Sequence, residues 1–245
     1  MPIPTEPIGS IPRPPGLLAA MRAHTTRQIS DEQFHAAEEA ALRDTISRLE
    51  ATGSPVITDG EQTKPSFVTY PLSGLENLAA DGVTIPFADG HTRQLPRLTG
   101  GPFHYGVHAV TYLKAAQRHA RRPVKQAVIS ASALSLLYPQ NGLNGYPREA
   151  FLDDLIQDAT RDIRECLEAN AACVQIDFTE GRLALKLDPS GGLLNAFIDL
   201  NNPYSISFRM PSGRRLECIP APAATMTPRI AQTWTTPPYC RGCFV

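Results

Sequence analysis

Pro55-Val56-Ile57-Thr58-Asp59-Gly60-Glu61 is a short β-branched run enclosed by Gly53 and Gly60. Such a run reads as a buried strand that ends in a charged loop. The same pattern returns twice. Val124 to Ile129 runs into Ser130 and Ser132, and Ala172-Cys173-Val174-Gln175-Ile176 runs into Asp177 and Glu180.

Helical periodicity fills the intervals. Apolar residues recur at helical spacing from Leu17 to Gln28 and from Asp31 to Glu50. Ser30 and Gln33 there form a capping box, and Gly53 stops the second helix. Tyr105 to Arg121, Arg148 to Asn170 and Leu193 to Asn202 read as further helices, the second amphipathic with its charges grouped on one side. Val83 to Leu98 alternates around Asp89-Gly90, which predicts an inserted hairpin. Alternating strands and helices predict an α/β fold with a parallel sheet, and 245 residues suit a closed (β/α)8 TIM-type barrel. Asp59 and Glu61, Ser130 and Ser132, and Asp177 and Glu180 each follow a strand, at the end where barrel enzymes build their sites. Taken singly, each is more often a cap or a turn residue.

Composition narrows the function classes. Lys+Arg of 23 against Asp+Glu of 24 leaves no excess charge for a polyanion, so nucleic acid is not expected as a partner. The N-terminus lacks the basic and apolar regions of a signal peptide, and the longest apolar stretch, around Ala127 to Leu137, is too short to span a bilayer. A cytoplasmic protein with a small-molecule substrate is expected. Five cysteines suggest no disulfide framework, with Cys166 and Cys173 as small buried hydrophobes. Cys240 and Cys243 form a C-x-x-C, but only Cys218 lies nearby and no histidine follows His119, so no metal site is assigned to this chain.

Ile8-Gly9-Ser10-Ile11-Pro12, Asp59-Gly60-Glu61, Val124-Lys125 and Gln175-Ile176-Asp177 resemble, in order and spacing, motifs of the catalytic domain of cobalamin-independent methionine synthase. The likeness covers residues 1–202. It is closest to single-domain members related to methionine synthase and uroporphyrinogen decarboxylase, which share D-G-E-Q, Q-I-D-F-T-E-G-R-L and K-L-D-P-S. The resemblance implies a methyl transfer to a homocysteine-type thiol with zinc as cofactor. It also implies that Ser10 helps bind the amino acid's carboxylate, and that Glu61 and Asp177 hold its ammonium. A zwitterion taken from water needs such paired charges. Asp59, Lys125, Glu180 and Arg182 are candidate additions to the pocket. After Asp177 the chain reads Phe178-Thr179-Glu180-Gly181-Arg182-Leu183, where methionine synthases have E-P-A-L-R-E.

The family's zinc ligands lie in a later H-x-C motif, a glutamate and a second cysteine, none of which is in place here. From Pro203 the chain has seven prolines, five arginines and one acid, Glu217. Such composition predicts a disordered tail over 203–245. Codons able to encode Glu217 to Cys240 can, one frame over, spell M-H-T-C-P-G-G-D-Y-D-S-T-H-S-A-D-V-D-Y-A-A-L-L-P, which resembles the family's zinc segment. A frameshift or mispredicted splice near Asn202 is therefore expected, leaving an incomplete barrel over 1–202, an inactive chain and no bound zinc. Two alternatives compete. One is a metal-free, uroporphyrinogen-decarboxylase-like lyase using Arg13, Lys125, Arg182 and Lys186 on an anionic substrate. The other is a non-catalytic amino-acid-binding protein.

Overall fold

The computed structural model describes residues 7–86, 92–206 and 215–220. Two helices open it: α1 (Pro15–Thr25) and α2 (Asp31–Ala51). The Ser30 hydroxyl accepts from the Gln33 N–H at 3.2 Å, and the Gln33 side chain accepts from the Ser30 N–H at 2.9 Å. The expected capping box thus satisfies two backbone donors that the helix itself cannot. A small antiparallel insertion follows. Strand β1 (Leu78–Ala79) pairs with β4 (Arg97–Leu98), and β2 (Thr84–Pro86) pairs with β3 (Thr92–Gln94). This is the predicted hairpin, whose turn at Asp89-Gly90 lies outside the described residues.

The remaining elements are α3 (Val110–Gln117), β5 (Lys125–Ile129), α4 (Ala131–Leu134), α5 (Arg148–Glu168), β6 (Cys173–Phe178), α6 (Gly181–Leu187), α7 (Gly192–Ile206) and β7 (Arg215–Pro220). Strands β5, β6 and β7 are parallel neighbours in that order, and Ile57 adds a single parallel bridge to Val124. The strand expected over 55–59 is thereby reduced to one bridge. Its cause is local: Thr58 and Asp59 spend their side chains on a turn, described below, so the chain leaves the ladder after Ile57. Among the described residues these parallel neighbours form an open run, and a closed eight-stranded barrel is not among them.

The C-terminal expectation needs correction. Helix α7 continues to Ile206, past the boundary placed at Asn202. Strand β7 then pairs with β6 from Cys173↔Arg215 to Phe178↔Pro220, where a tail without regular structure was expected. A strand edge is a row of backbone donors and acceptors that any extended segment can satisfy, whatever its composition. Residues 207–214 and 221–245, including Cys240 and Cys243, lie outside the described residues.

The two faces of the parallel sheet differ. Val128, Val174 and Ile176 join one buried cluster with Leu113 of α3 and Phe151, Leu155 and Ile163 of α5. Burying each of the large α5 side chains stabilises the fold by about 1.5–3 kcal/mol. Side chains alternate along a strand, so Lys125, Ala127, Cys173, Gln175 and Asp177 share the other face.

Helix α3 is shorter than the predicted Tyr105–Arg121. The reason is a row of aspartates on α5, spaced by four. Asp154 accepts from the Phe103 N–H at 3.3 Å, Asp158 from the Tyr105 N–H at 2.7 Å and Asp162 from the Ala109 N–H at 2.5 Å. These carboxylates fasten the loop ahead of α3 in a non-helical path. No helix among the described residues is long and apolar enough to cross a membrane.

Candidate active site

The turn after Ile57 builds the first wall. The Asp59 carboxylate accepts from the Glu61 N–H at 2.9 Å, an Asx-type turn, and the Thr58 hydroxyl accepts from the Gly60 N–H at 3.2 Å. Both Gly60 (φ 61°) and Glu61 (φ 55°) are left-handed. That conformation is costly for glutamate, and it turns Glu61 into the protein, where it is 6% exposed. The Gly9-Ser10-Ile11 segment is stitched across this turn. Thr58 donates to the Gly9 carbonyl at 3.1 Å, Ile11 N–H to the Gly60 carbonyl at 3.1 Å, and Gln62 Nε2 to the Ile11 carbonyl at 3.2 Å. Ser10 therefore lies beside the Gly60-Glu61 turn, with its side chain exposed.

Lys64 crosses from this turn to the sheet. Its Nζ lies 3.2 Å from Glu61 Oε1 and donates to the Ala127 carbonyl at 2.8 Å. It also stands 4.8 Å from the centre of the Tyr70 ring, a cation–π contact. Burial alone would push its pKa down. The charges of Glu61, Asp59 and Asp177 outweigh burial and hold it above the ordinary lysine range. Sequence reading missed Lys64, although it lies three residues beyond Glu61 in the same motif.

The second wall is the C-terminal end of β5 and β6. Gln175 Nε2 donates to Asp177 Oδ1 at 2.6 Å. Burial raises the Asp177 carboxyl to about 6 against that hydrogen bond, with Glu61 adding repulsion and Lys64 and Lys125 opposing it. Lys125 is 1% exposed on the same face. Ser130 and Ser132 both donate to Glu180 Oε1, the first at 2.6 Å. Asn201 of α7 supports the pair, donating to Ser132 Oγ at 2.7 Å. Burial pushes Glu180 up to about 7, the serines opposing it and Asp177 reinforcing it.

Asp59, Glu61, Lys64, Lys125 and Asp177 therefore form one interacting group of charges, with Glu180 at its edge. Arg182 and Lys186 do not join it and lie exposed on α6. Arg13 is committed to backbone, donating to the carbonyls of Glu61 and Lys64. Among the described residues no three His, Cys, Asp or Glu side chains stand close enough to share a metal ion. Cys166 and Cys173 are both buried, and burial raises the Cys166 thiol well above the ordinary range. The side-chain oxygens Gln62 Oε1, Gln126 Oε1, Gln175 Oε1 and Glu180 Oε2 are buried without a hydrogen-bond partner among the described residues. In each of these glutamines Nε2 is already bonded to a carbonyl or carboxylate, which fixes the amide's orientation. Arg13 Nε is likewise buried without a partner among the described residues, so the unpartnered groups include a donor as well as acceptors.

No protein-family model matches the chain. It is 26% identical over 199 residues to the 5-methyltetrahydropteroyltriglutamate–homocysteine methyltransferase of Syntrophotalea carbinolica, which covers 77% of this chain and 25% of that protein. It is 38% identical over 68 residues to the methionine synthase of Sulfurisphaera tokodaii, covering 28% of this chain and 20% of that one. The chain thus spans about a quarter or less of the length of these relatives. Among solved structures, a B12-independent methionine synthase from a Shewanella species, in complex with selenomethionine, superposes with a TM-score of 0.61 at 17% identity, covering 84% of this chain and 59% of that one. A putative vitamin-B12-independent methionine synthase from Listeria monocytogenes gives 0.63 at 21% identity, covering 86% and 63%. The motifs around Asp59 and Asp177, the sequence relatives and the fold agree in what the chain is similar to, the cobalamin-independent methionine synthases.

Proposed function

We propose that the chain carries the amino-acid-binding half of a methionine-synthase-like site, of the kind that transfers a methyl group to a homocysteine-type thiol. The observation that carries this reading is the buried acidic group around Glu61 and Asp177, with Asp59 behind it and Ser10 alongside on the Gly9–Ile11 crossing. Ionised carboxylates at the end of a low-dielectric sheet face attract an ammonium group strongly. The exposed hydroxyl of Ser10 supplies a donor for the carboxylate of the same amino acid. Lys64 and Lys125 keep the carboxylates from repelling one another before the ligand arrives.

Zinc, when bound, would lower the pKa of the acceptor thiol and hold it as thiolate, as in the family. The donor set among the described residues does not fit it, so no step here is routed through a metal. The alternative reading frame bears on this. Its His arises from the codons of Cys218 and Ile219 and its Cys from those of Pro220 and Ala221, and β7 sets Ile219 opposite Asp177. A histidine and a cysteine encoded there would fall at the strand end beside the acidic group. We therefore read the chain as inactive in methyl transfer, and the restored frame as the form that binds zinc.

The lyase reading is less favoured, because its anion-binding candidates Arg182 and Lys186 lie outside the charged group and Arg13 is bound to backbone carbonyls. Calorimetric titration with L-homocysteine and L-methionine tests the proposal. The chain is expected to bind both, to carry no stoichiometric zinc and to show no methyl transfer from a methylated pteridine donor. The restored-frame protein is expected to bind about one zinc. Absence of amino-acid binding, or tight zinc in the chain as it stands, would overturn it.

A further inference from the structure

The connection from Tyr138 to α5 contains two Asn-Gly steps, Asn141-Gly142 and Asn144-Gly145, with all four residues exposed. Both glycines are left-handed, at φ 74° and 73°. The two turns differ in where they are closed. The Gly142 N–H donates to the Pro139 carbonyl at 3.0 Å and so closes the turn over Gln140 and Asn141. The turn over Asn144 and Gly145 is closed one residue later, by the Tyr146 N–H on the Leu143 carbonyl at 3.3 Å. The Gly145 N–H lies inside that turn and has no hydrogen-bond partner among the described residues. A Cβ at Gly145 would meet nothing within 4 Å, so the space around this residue is open as well.

We propose that Asn144 is a site of spontaneous modification, converted to aspartate and isoaspartate through a cyclic imide with Gly145, and that the fold protects Asn141 from the same reaction. The Gly145 nitrogen gives up its proton to a base in the solvent and attacks Asn144 Cγ. The new N–C bond forms as the Cγ–Nδ2 bond breaks, and the amide nitrogen takes a proton from water and leaves as ammonia. Water then adds to one of the two imide carbonyls and opens the ring. Cleavage at Cγ gives aspartate, and cleavage at the main-chain carbonyl gives isoaspartate, with the chain rerouted through Cγ. One water is consumed and one ammonia released. Glycine permits the attack because, without a Cβ, its backbone turns readily into the ring geometry. At Gly142 the nitrogen must first lose its hydrogen bond to Pro139, and that slows the step. The position gives the reaction a structural consequence. Tyr138 Oη accepts from the Leu143 N–H at 3.2 Å and donates to the Tyr146 carbonyl at 2.7 Å, bridging the segment that holds Asn144. The Tyr146 hydroxyl in turn donates to Asp154 at 2.5 Å and accepts from the Phe103 N–H at 3.0 Å. An isoaspartyl link adds a main-chain carbon inside the Tyr138 bridge, so it loosens Tyr146 and its hold on Phe103.

The test is incubation of the full chain at mildly alkaline pH, with peptide mapping by mass spectrometry and isoaspartate assigned by fragmentation. Acid is expected to accumulate at Asn144 at least about fivefold faster than at Asn141, the factor that one hydrogen bond of ordinary net strength supplies. The rate should rise with pH, since the attacking nitrogen must lose a proton. In urea the two sites should convert at similar rates, because the turn that protects Asn141 is gone. Equal or faster conversion of Asn141 in the folded chain overturns the proposal. So does a preference for Asn144 that survives urea unchanged, which would come from neighbouring residues and not from the fold. Aspartate without isoaspartate overturns the cyclic route. Asn144→Ser is expected to remove the fast phase of ammonia release, and its persistence overturns the assignment. Hydrogen exchange at the Phe103 amide should be faster in the aged protein than in the fresh one, and equal exchange overturns the link through Tyr146.

Discussion

Lys64 and Glu61 lie 3.2 Å apart with side chains 1% and 7% exposed, so an ion pair is sealed inside the turn that shapes the site. Removing one member leaves the other charge without compensation. Lys64→Met is expected to cost about 3–5 kcal/mol in urea denaturation. The double variant Lys64→Met/Glu61→Gln should recover part of that loss, because the remaining group is no longer charged. An additive double variant would show that the pair is not coupled.

Stability should fall as pH rises through neutrality. Glu180 is raised from 4.5 to about 7, so the native state keeps a proton that the unfolded chain has lost. Its contribution is complete below pH 4.5 and disappears as pH passes 7, a change of about 3 kcal/mol. Asp177 and Asp162, each raised to about 6, act in the same direction. Denaturation midpoints between pH 5 and 8 check this, and Glu180→Gln should flatten the profile. Ligand affinity should run the other way, rising with pH as Asp177 ionises.

Asp162 anchors two elements at once. It accepts from the Ala109 N–H at the start of α3 and from the Tyr70 hydroxyl, while the Ile129 N–H at the end of β5 donates to that same hydroxyl at 3.3 Å. Asp162→Ala strands two buried donors and is expected to cost about 2–4 kcal/mol. Asp162→Asn retains an acceptor for Ala109 and should cost less. If denaturation ranks the two variants in the opposite order, the aspartate row is not what holds this loop.

Gly60 tests how tightly the Gly9–Ile11 crossing is packed. A Cβ there would stand 2.7 Å from Thr45 Cγ2 and 3.0 Å from Ile11 Cγ1, on a backbone at φ +61°. Gly60→Ala is expected to destabilise by about 2–3 kcal/mol, combining left-handed strain with overpacking. Thr45→Ser removes the nearer methyl, so the double variant should recover roughly half. Thermal melts of the four proteins suffice.

Much of this was legible in the sequence because turns and caps are local. Ser30 with Gln33, Asp59 before Gly60, and Asp177 after a β-branched run each carry their signal within a few residues. Lys64 carried none, since a lysine beyond a strand reads as solvated until Ala127, sixty-three positions later in sequence, is placed beside it. Asp158 and Asp162 were hidden by helical period, which assigns them to the charged face of α5, whereas their partners are backbone groups of another segment. Helix α6 is short and has no side-chain cap, so periodicity had little to register. Strand β7 was missed because pairing is a property of the edge it joins, and composition describes only the segment itself.

The parallel order of the sheet has a kinetic consequence. Ile57 meets Val124, Lys125 meets Cys173 and Cys173 meets Arg215, so each partner is recruited across a loop of about forty to seventy residues. Helices α1 and α2 need no such closures, whereas Glu61, Lys64 and Asp177 come together only when the long loops shut. The charged group therefore has no fragmentary existence. In a refolding experiment, recovery of ligand binding should follow the same rate as burial of Tyr70, the residue packed between that sheet and α5.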